Sequence, residues 1–106
     1  MARTFLREPD DGTTITVVVG DEVVLDLAEN PTTGYRWEVE SQGSVLTSSP
    51  STYESNANVA IGGGGRRQIP LLAAQSGETV IRVRLRRTWD APDESIDERT
   101  FRVRVK

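Results

Sequence analysis

The chain has no cysteine and no histidine among its 106 residues. Without cysteine, no disulfide staples the fold and no thiol reacts, so the fold is expected to hold in an oxidising or a reducing compartment. Without histidine, the commonest general base and the commonest zinc ligand are missing together. An enzyme is therefore not expected, and neither is a cofactor or a resident metal. Long apolar runs are lacking as well. No stretch approaches the roughly 20 apolar residues that span a bilayer as a helix. No apolar run of the secretion-signal kind follows Met1-Ala2-Arg3. The compartment stays open: cytoplasmic as the chain reads, secreted or periplasmic if a leader was removed. Excess charge of one sign is also absent. A net charge of −3 argues against strong non-specific nucleic-acid binding, and neither nucleic acid nor a membrane is an expected partner. The charges are unevenly spread, with an acidic N-terminal half and most arginines after Gly65.

What is present is alternation with period two, and no convincing amphipathic helix. Ile15, Val17 and Val19 alternate with Thr16 and Val18, and Val23, Leu25 and Leu27 with Val24 and Asp26. Gly20-Asp21 between them reads as a tight turn. Trp37 and Val39 alternate with Arg36, Glu38 and Glu40. Ile69, Leu71 and Ala73 form a further run, which Pro70 pushes towards a sheet edge. Ile81, Val83 and Leu85 alternate with Arg82, Arg84 and Arg86, and Phe101, Val103 and Val105 with Arg102, Arg104 and Lys106. Thr4 to Leu6 and the surroundings of Tyr53 supply short strands. The reading is an all-β, immunoglobulin-like antiparallel β-sandwich of seven to eight strands, one domain over residues 1–106. A chain of this length buries a core without staples. The arginine face is expected in water, partly neutralised by cross-strand pairs with Glu38 and Glu40.

Turn parity then sorts the connections. In an antiparallel sandwich successive turns fall at alternate ends. Glu29 to Tyr35, Ser55 to Arg67 and Thr88 to Asp97 are thereby expected at one end, with the tight turns at the other. Long loops gathered on a rigid scaffold are where binding usually resides. The first reads Asn30-Pro31-Thr32-Thr33-Gly34-Tyr35. Pro31 fixes φ, Asn30 shapes the turn through its side chain, and Gly34 allows the chain to fold back. Thr32 and Thr33 are displayed at the tip, and Tyr35 and Trp37 enter the core. Taken alone, the segment reads equally as an ordinary β-connection. The second loop carries Gly62-Gly63-Gly64-Gly65. No helix pattern follows, so it is not a phosphate loop; alone it reads as a flexible connection. The third opens with Arg87-Thr88-Trp89. Trp89 reads either as an exposed binding anchor or as a ring folded over the sandwich end against Arg87.

The order, spacing and shared end of these motifs carry a resemblance. Asn30 to Tyr35 resembles the Asn-Pro-Thr-Thr-Gly-aromatic motif of the chagasin family, Gly62 to Gly65 its Gly-x-Gly-Gly motif, and Arg87 to Trp89 its Arg-Pro-Trp motif. The match runs over all but the first ten or so residues. It implies a tight, reversible inhibitor of papain-like cysteine proteases, monomeric when free, whose three loops plug the catalytic cleft. Carried over, Thr32 lies nearest the catalytic thiolate, the glycine loop lines the non-primed side, and the tryptophan loop grips the primed side. Thr88 stands where the family has proline, and Gly63 adds further freedom; both weaken preorganisation.

Three other readings compete. Asp90, Asp93, Glu94, Asp97 and Glu98 suit calcium in principle, but a solvated acidic loop is preferred. A plain structural or adhesive immunoglobulin-like module needs none of the three motifs. A nucleic-acid surface built on Arg82, Arg84, Arg86, Arg102, Arg104 and Lys106 lacks the interleaved aromatics that stack bases.

Overall fold

In a computed structural model the chain is a sandwich of two β-sheets. The residues described are 2–41, 43–55, 64–87, 89 and 95–106. Nine strands lie among them: β1 (Arg3–Leu6), β2 (Thr14–Val17), β3 (Glu22–Glu29), β4 (Arg36–Ser41), β5 (Leu46–Ser48), β6 (Thr52–Ser55), β7 (Gly65–Ala73), β8 (Gly77–Arg86) and β9 (Asp97–Val105). One sheet has the order β1-β3-β7-β5 with β6 also on β7; the other has the order β2-β9-β8-β4. The period-two inward positions of both sheets make one core: Leu25, Leu27, Leu71, Ile81, Val83 and Phe101 are fully buried. The all-β sandwich expected from alternation is what forms, but with nine strands rather than seven or eight, because the single short strand expected around Tyr53 is two, β5 and β6, that cover successive parts of β7.

The details depart from the pattern in three places. Two pairings are parallel, β1 with β3 and β2 with β9. The chain leaves the first sheet after β1, visits the second as β2, and returns as β3, so β1 and β3 run the same way. The Val17–Val19 run stops early as a strand: β2 ends at Val17, and Val18 and Val19 are exposed in the turn. Pro70 does not mark an edge. β7 is flanked by β3 on one side and by both β5 and β6 on the other. β5 covers Leu71–Ala73, β6 covers Gly65–Gln68, and Pro70 falls in the gap between them. Its carbonyl accepts from the Ser49 N–H at 3.0 Å. A strand residue's amide and carbonyl point to the same side, so the missing proline N–H faces the gap, where no ladder bond is lost.

The arginine stripe is less exposed than its alternation implies. Arg82 stands in solvent, whereas Arg84 and Arg86 are half-buried. Arg84 pairs with Glu40 at 2.8 Å and Glu98 at 3.1 Å, and Arg86 with Glu38 at 3.1 Å. These carboxylates, on β4 and β9 either side of β8, cover the guanidinium stems.

Candidate functional site

Three connections leave the same end of the sandwich. The β3–β4 loop rises between Glu29 and Arg36, the β6–β7 loop between Ser55 and Gly65, and the β8–β9 loop between Arg86 and Asp97. Register brings their roots together: Glu29 pairs with Gly65, Gly65 with Ser55, Arg36 with Arg86, and Leu85 with Asp97. Parity of turns therefore gathers the described parts of all three loops, as the alternation predicts.

The first loop is shaped from within by Asn30. Pro31–Thr33 form one 3-10 turn. Asn30 Oδ1 accepts from the Thr32 N–H at 3.1 Å and from Thr32 Oγ1 at 2.7 Å. Its carbonyl accepts from Thr33 Oγ1 at 2.7 Å and from the Thr33 N–H at 3.2 Å. Thr33 Oγ1 in turn accepts from the Tyr35 N–H at 3.3 Å. Each local bond offers the chain an alternative to extended structure. The consequence for chemistry is specific. The Thr32 hydroxyl proton is held by Asn30, so this exposed group meets a partner as an acceptor. Gly34 follows with φ of +80°, a left-handed value that costs other residues about 1–2 kcal/mol.

The first and third loops touch through aromatic rings. A Cβ on Gly34 would lie 2.8 Å from Cη2 of Trp89, so the indole rests directly on the glycine. Arg87 lies 5.0 Å from the Tyr35 ring centroid and 5.4 Å from that of Trp89, within cation–π range of both. Trp89 is nevertheless 69% exposed. The ring is braced by Gly34 and Arg87, and most of its surface still faces solvent. Tyr35 does not enter the core; it stays half-buried beside Arg87, while Trp37 is the buried ring. Trp37 Nε1 donates to the Ala28 carbonyl at 2.8 Å.

The glycine motif divides. Gly65 is the first residue of β7 and is buried, so it roots the loop rather than being displayed. Gly64 lies against loop one: a Cβ there would sit 3.3 Å from the Glu29 carbonyl oxygen. Gly62, Gly63, Thr88, Asp90, Asp93 and Glu94 fall outside the described residues. Between the loop roots opens a largely apolar concavity of about 410 Å³, whose lining includes Tyr35, Gly64, Leu85 and Ile96.

The motifs do not point to what lies beneath. Glu29 is buried with its side chain 1% exposed, against Arg67 at 10%. Its Oε1 accepts from the Trp37 N–H at 2.7 Å, and its Oε2 accepts from Arg67 Nε at 3.0 Å and Nη2 at 2.8 Å. The sequence did hold a signal. Period two places Glu29 on the same inward face as Val23, Leu25 and Leu27, and Arg67 with Ile69 and Leu71. A charge on each inward face implies a buried pair. Of the acidic run, Asp97 and Glu98 lie among the described residues. Asp97 pairs with Arg99 and Glu98 with Arg82 and Arg84, and among the described residues no group of acidic side chains is arranged for a metal.

The described loop residues place an exposed tryptophan and an apolar concavity at one end of the sandwich, the kind of surface on which proteins dock. The comparisons give the family. The chain belongs to the chagasin family of peptidase inhibitors (I42), whose model matches residues 16–105. Amoebiasin-1 of Entamoeba histolytica is 35% identical over 100 residues, covering 94% of this chain and 95% of that protein. Chagasin of Trypanosoma cruzi is 29% identical over 101 residues, covering 91% and 90%. The crystal structure of the cysteine protease inhibitor EhICP2 from Entamoeba histolytica superposes with a TM-score of 0.85 at 25% identity, over 99% of this chain and 96% of that one.

Proposed function

We propose that the whole chain acts as a single inhibitor domain that blocks papain-like cysteine proteases by inserting its three loops into the catalytic cleft. The observation that carries the reading is the bracing of the first and third loops against each other through Gly34, Trp89 and Arg87. Contacts already made in the free protein among Gly34, Arg87 and Trp89 cost no ordering on docking, which favours tight, reversible binding. Thr32 stands at the tip of the first loop. A papain-like enzyme carries a thiolate beside an imidazolium. With its proton committed to Asn30, the Thr32 hydroxyl accepts a hydrogen bond from the imidazolium N–H, next to the thiolate. The 3-10 turn withholds from the nucleophile the extended backbone of a cleavable substrate. Trp89 and the glycine loop engage the cleft on either side. The protein performs no catalysis of its own and works as a monomer. The arginine face, paired with Glu38, Glu40 and Glu98, is spent on the sheet and takes no part in nucleic-acid or membrane binding.

The experiment is a titration of papain with the protein, followed by prolonged incubation and a gel. Sustained, reversible inhibition with an intact chain supports the reading. Cleavage between Asn30 and Tyr35 as inhibition fades would make the protein a slow substrate instead. An adhesive module of the same architecture would leave papain fully active.

A further inference from the structure

We infer that Glu29 is a positioning residue for inhibition: its buried carboxylate ties the entry of the threonine loop, the exit of that loop and the exit of the glycine loop into one unit. The inhibition arm of the test rests on the proposed function; the structural arm does not.

Glu29 is the last residue of β3 and directly precedes Asn30. The loop that follows leaves the first sheet and lands in the second, where Trp37 sits one residue into β4. Glu29 Oε1 holds the Trp37 N–H at 2.7 Å, so the two ends of the loop are pinned across the gap between the sheets. Oε2 holds Arg67 through Nε at 3.0 Å and Nη2 at 2.8 Å. Arg67 stands two residues beyond Gly65, where the glycine loop rejoins its sheet. The Arg67 guanidinium is itself located, lying 5.5 Å from the Tyr53 ring centroid and donating through Nη1 to Ser51 Oγ at 3.3 Å. The backbone of Glu29 completes the contact, since its carbonyl is what Gly64 packs against.

The core does not need a charge here. β3 is already held to β7 by a ladder from Glu22 to Glu29, and Leu27 is fully buried one inward step below. Apolar side chains fill such a space at least as well as an ion pair does. What the pair adds is direction. Both carboxylate oxygens are engaged by three donors, and moving either loop root strands one of them in a dry setting. The spacing of the loops therefore has one satisfied value.

The test compares Glu29→Gln with Val17→Ala, a core truncation at the opposite end, at a temperature where both are fully folded. Two quantities are read: association and dissociation rates with papain, and amide exchange of Thr32 and Thr33 by NMR. Gln keeps the shape but turns an amide towards Arg67. If Glu29 positions the loops, the docking-competent fraction falls. The inhibition constant should then rise about tenfold or more, mainly through slower association, because apparent affinity scales with that fraction. Thr32 and Thr33 amides should exchange faster. Val17→Ala should leave all of these within about twofold of the wild type while lowering thermal stability. Should Glu29→Gln fail to fold, Arg67→Lys retains the charge, loses the paired N–H contact, and should show the same changes in smaller measure. Inhibition by Glu29→Gln within twofold of wild type, or an equal loss in Val17→Ala, overturns the inference. If the wild type does not inhibit papain, the proposed function fails, and unchanged Thr32 and Thr33 exchange in Glu29→Gln alone overturns the positioning role.

Discussion

Replacing Gly34 with alanine perturbs two things that the structure allows to be separated. The first is backbone. At φ of +80°, alanine pays about 1–2 kcal/mol in folding stability. The second is contact. The new Cβ would stand 2.8 Å from Trp89 Cη2, and its three nearest neighbours are all atoms of that indole. Trp89 is 69% exposed, so the ring yields rather than the backbone, and in moving it leaves the cation–π stack with Arg87. Displacing an aromatic anchor weakens a protein interface by about 2 kcal/mol, roughly thirtyfold in the inhibition constant. Trp89→Ala should give the same loss of inhibition with little change in melting temperature. In the double variant the obstacle is gone. Only the φ strain remains; it is present in both free and bound protein and largely cancels from the binding constant. Gly34→Ala made on the Trp89→Ala background should therefore change inhibition less than about threefold. Inhibition constants for the four proteins against papain complete the cycle. Losses that add in full would show that the indole does not rest on Gly34, and wild-type inhibition by Gly34→Ala would show that the pose of Trp89 is immaterial.

Thr32→Ala should weaken inhibition by about 0.5–1.5 kcal/mol, the worth of one hydrogen bond; an inhibition assay against papain checks it. Glu8 accepts from the Ala28 N–H at 2.7 Å and Arg66 Nη2 at 3.1 Å. Burial pushes its carboxyl up, but these bonds and the Arg66 charge outweigh it and hold the group below its usual 4.5. A lowered folded-state value stabilises above the unfolded pKa and is lost as pH falls through the folded one; melting curves from pH 7 to about pH 3 should show wild type losing this share from about pH 4.5 downwards and Glu8→Gln lacking that part of the acid limb. A double-mutant cycle on Arg86 and Glu38 should return about 0.2–1 kcal/mol, as for other pairs open to water on one side.

Much of this molecule is legible from alternation alone. The inward sets Leu25 and Leu27, Ile81 and Val83, and Phe101 and Val103 are where period two puts them, because one buried face per strand leaves the pattern no freedom. The gathering of the loops follows from the same parity. What alternation misreads are positions where a neighbour changes the meaning of a residue. Pro70 reads as an edge only while β7 is assumed to have one continuous neighbour, and the break between β5 and β6 removes that assumption. Val24 and Asp26 read as solvent-facing, yet both are buried. Val24 lies in register between Phe5 and Pro70, and Asp26 is covered by Arg7 and Arg66. In the candidate site, the local chemistry of Asn30 and Gly34 is visible in sequence, since each acts on its immediate neighbours. The Glu29–Arg67 clamp joins residues far apart in the chain, and shows in sequence only as two charges of inward parity. The contact of Trp89 with Gly34 likewise depends on two loops meeting in space.

If the loop end of this protein occupies the catalytic cleft of a papain-like protease, it shields the catalytic cysteine from small reagents. The most direct measurement is the rate at which iodoacetamide alkylates the catalytic cysteine of papain, with and without a saturating amount of the protein. The inhibitor carries no cysteine, so every label counted belongs to the enzyme. Occupation of the cleft predicts that alkylation slows in step with occupancy and returns on dilution, with the chain recovered intact. Alkylation at the free enzyme's rate, while substrate hydrolysis is blocked, would place the inhibitor away from the thiolate and contradict the account.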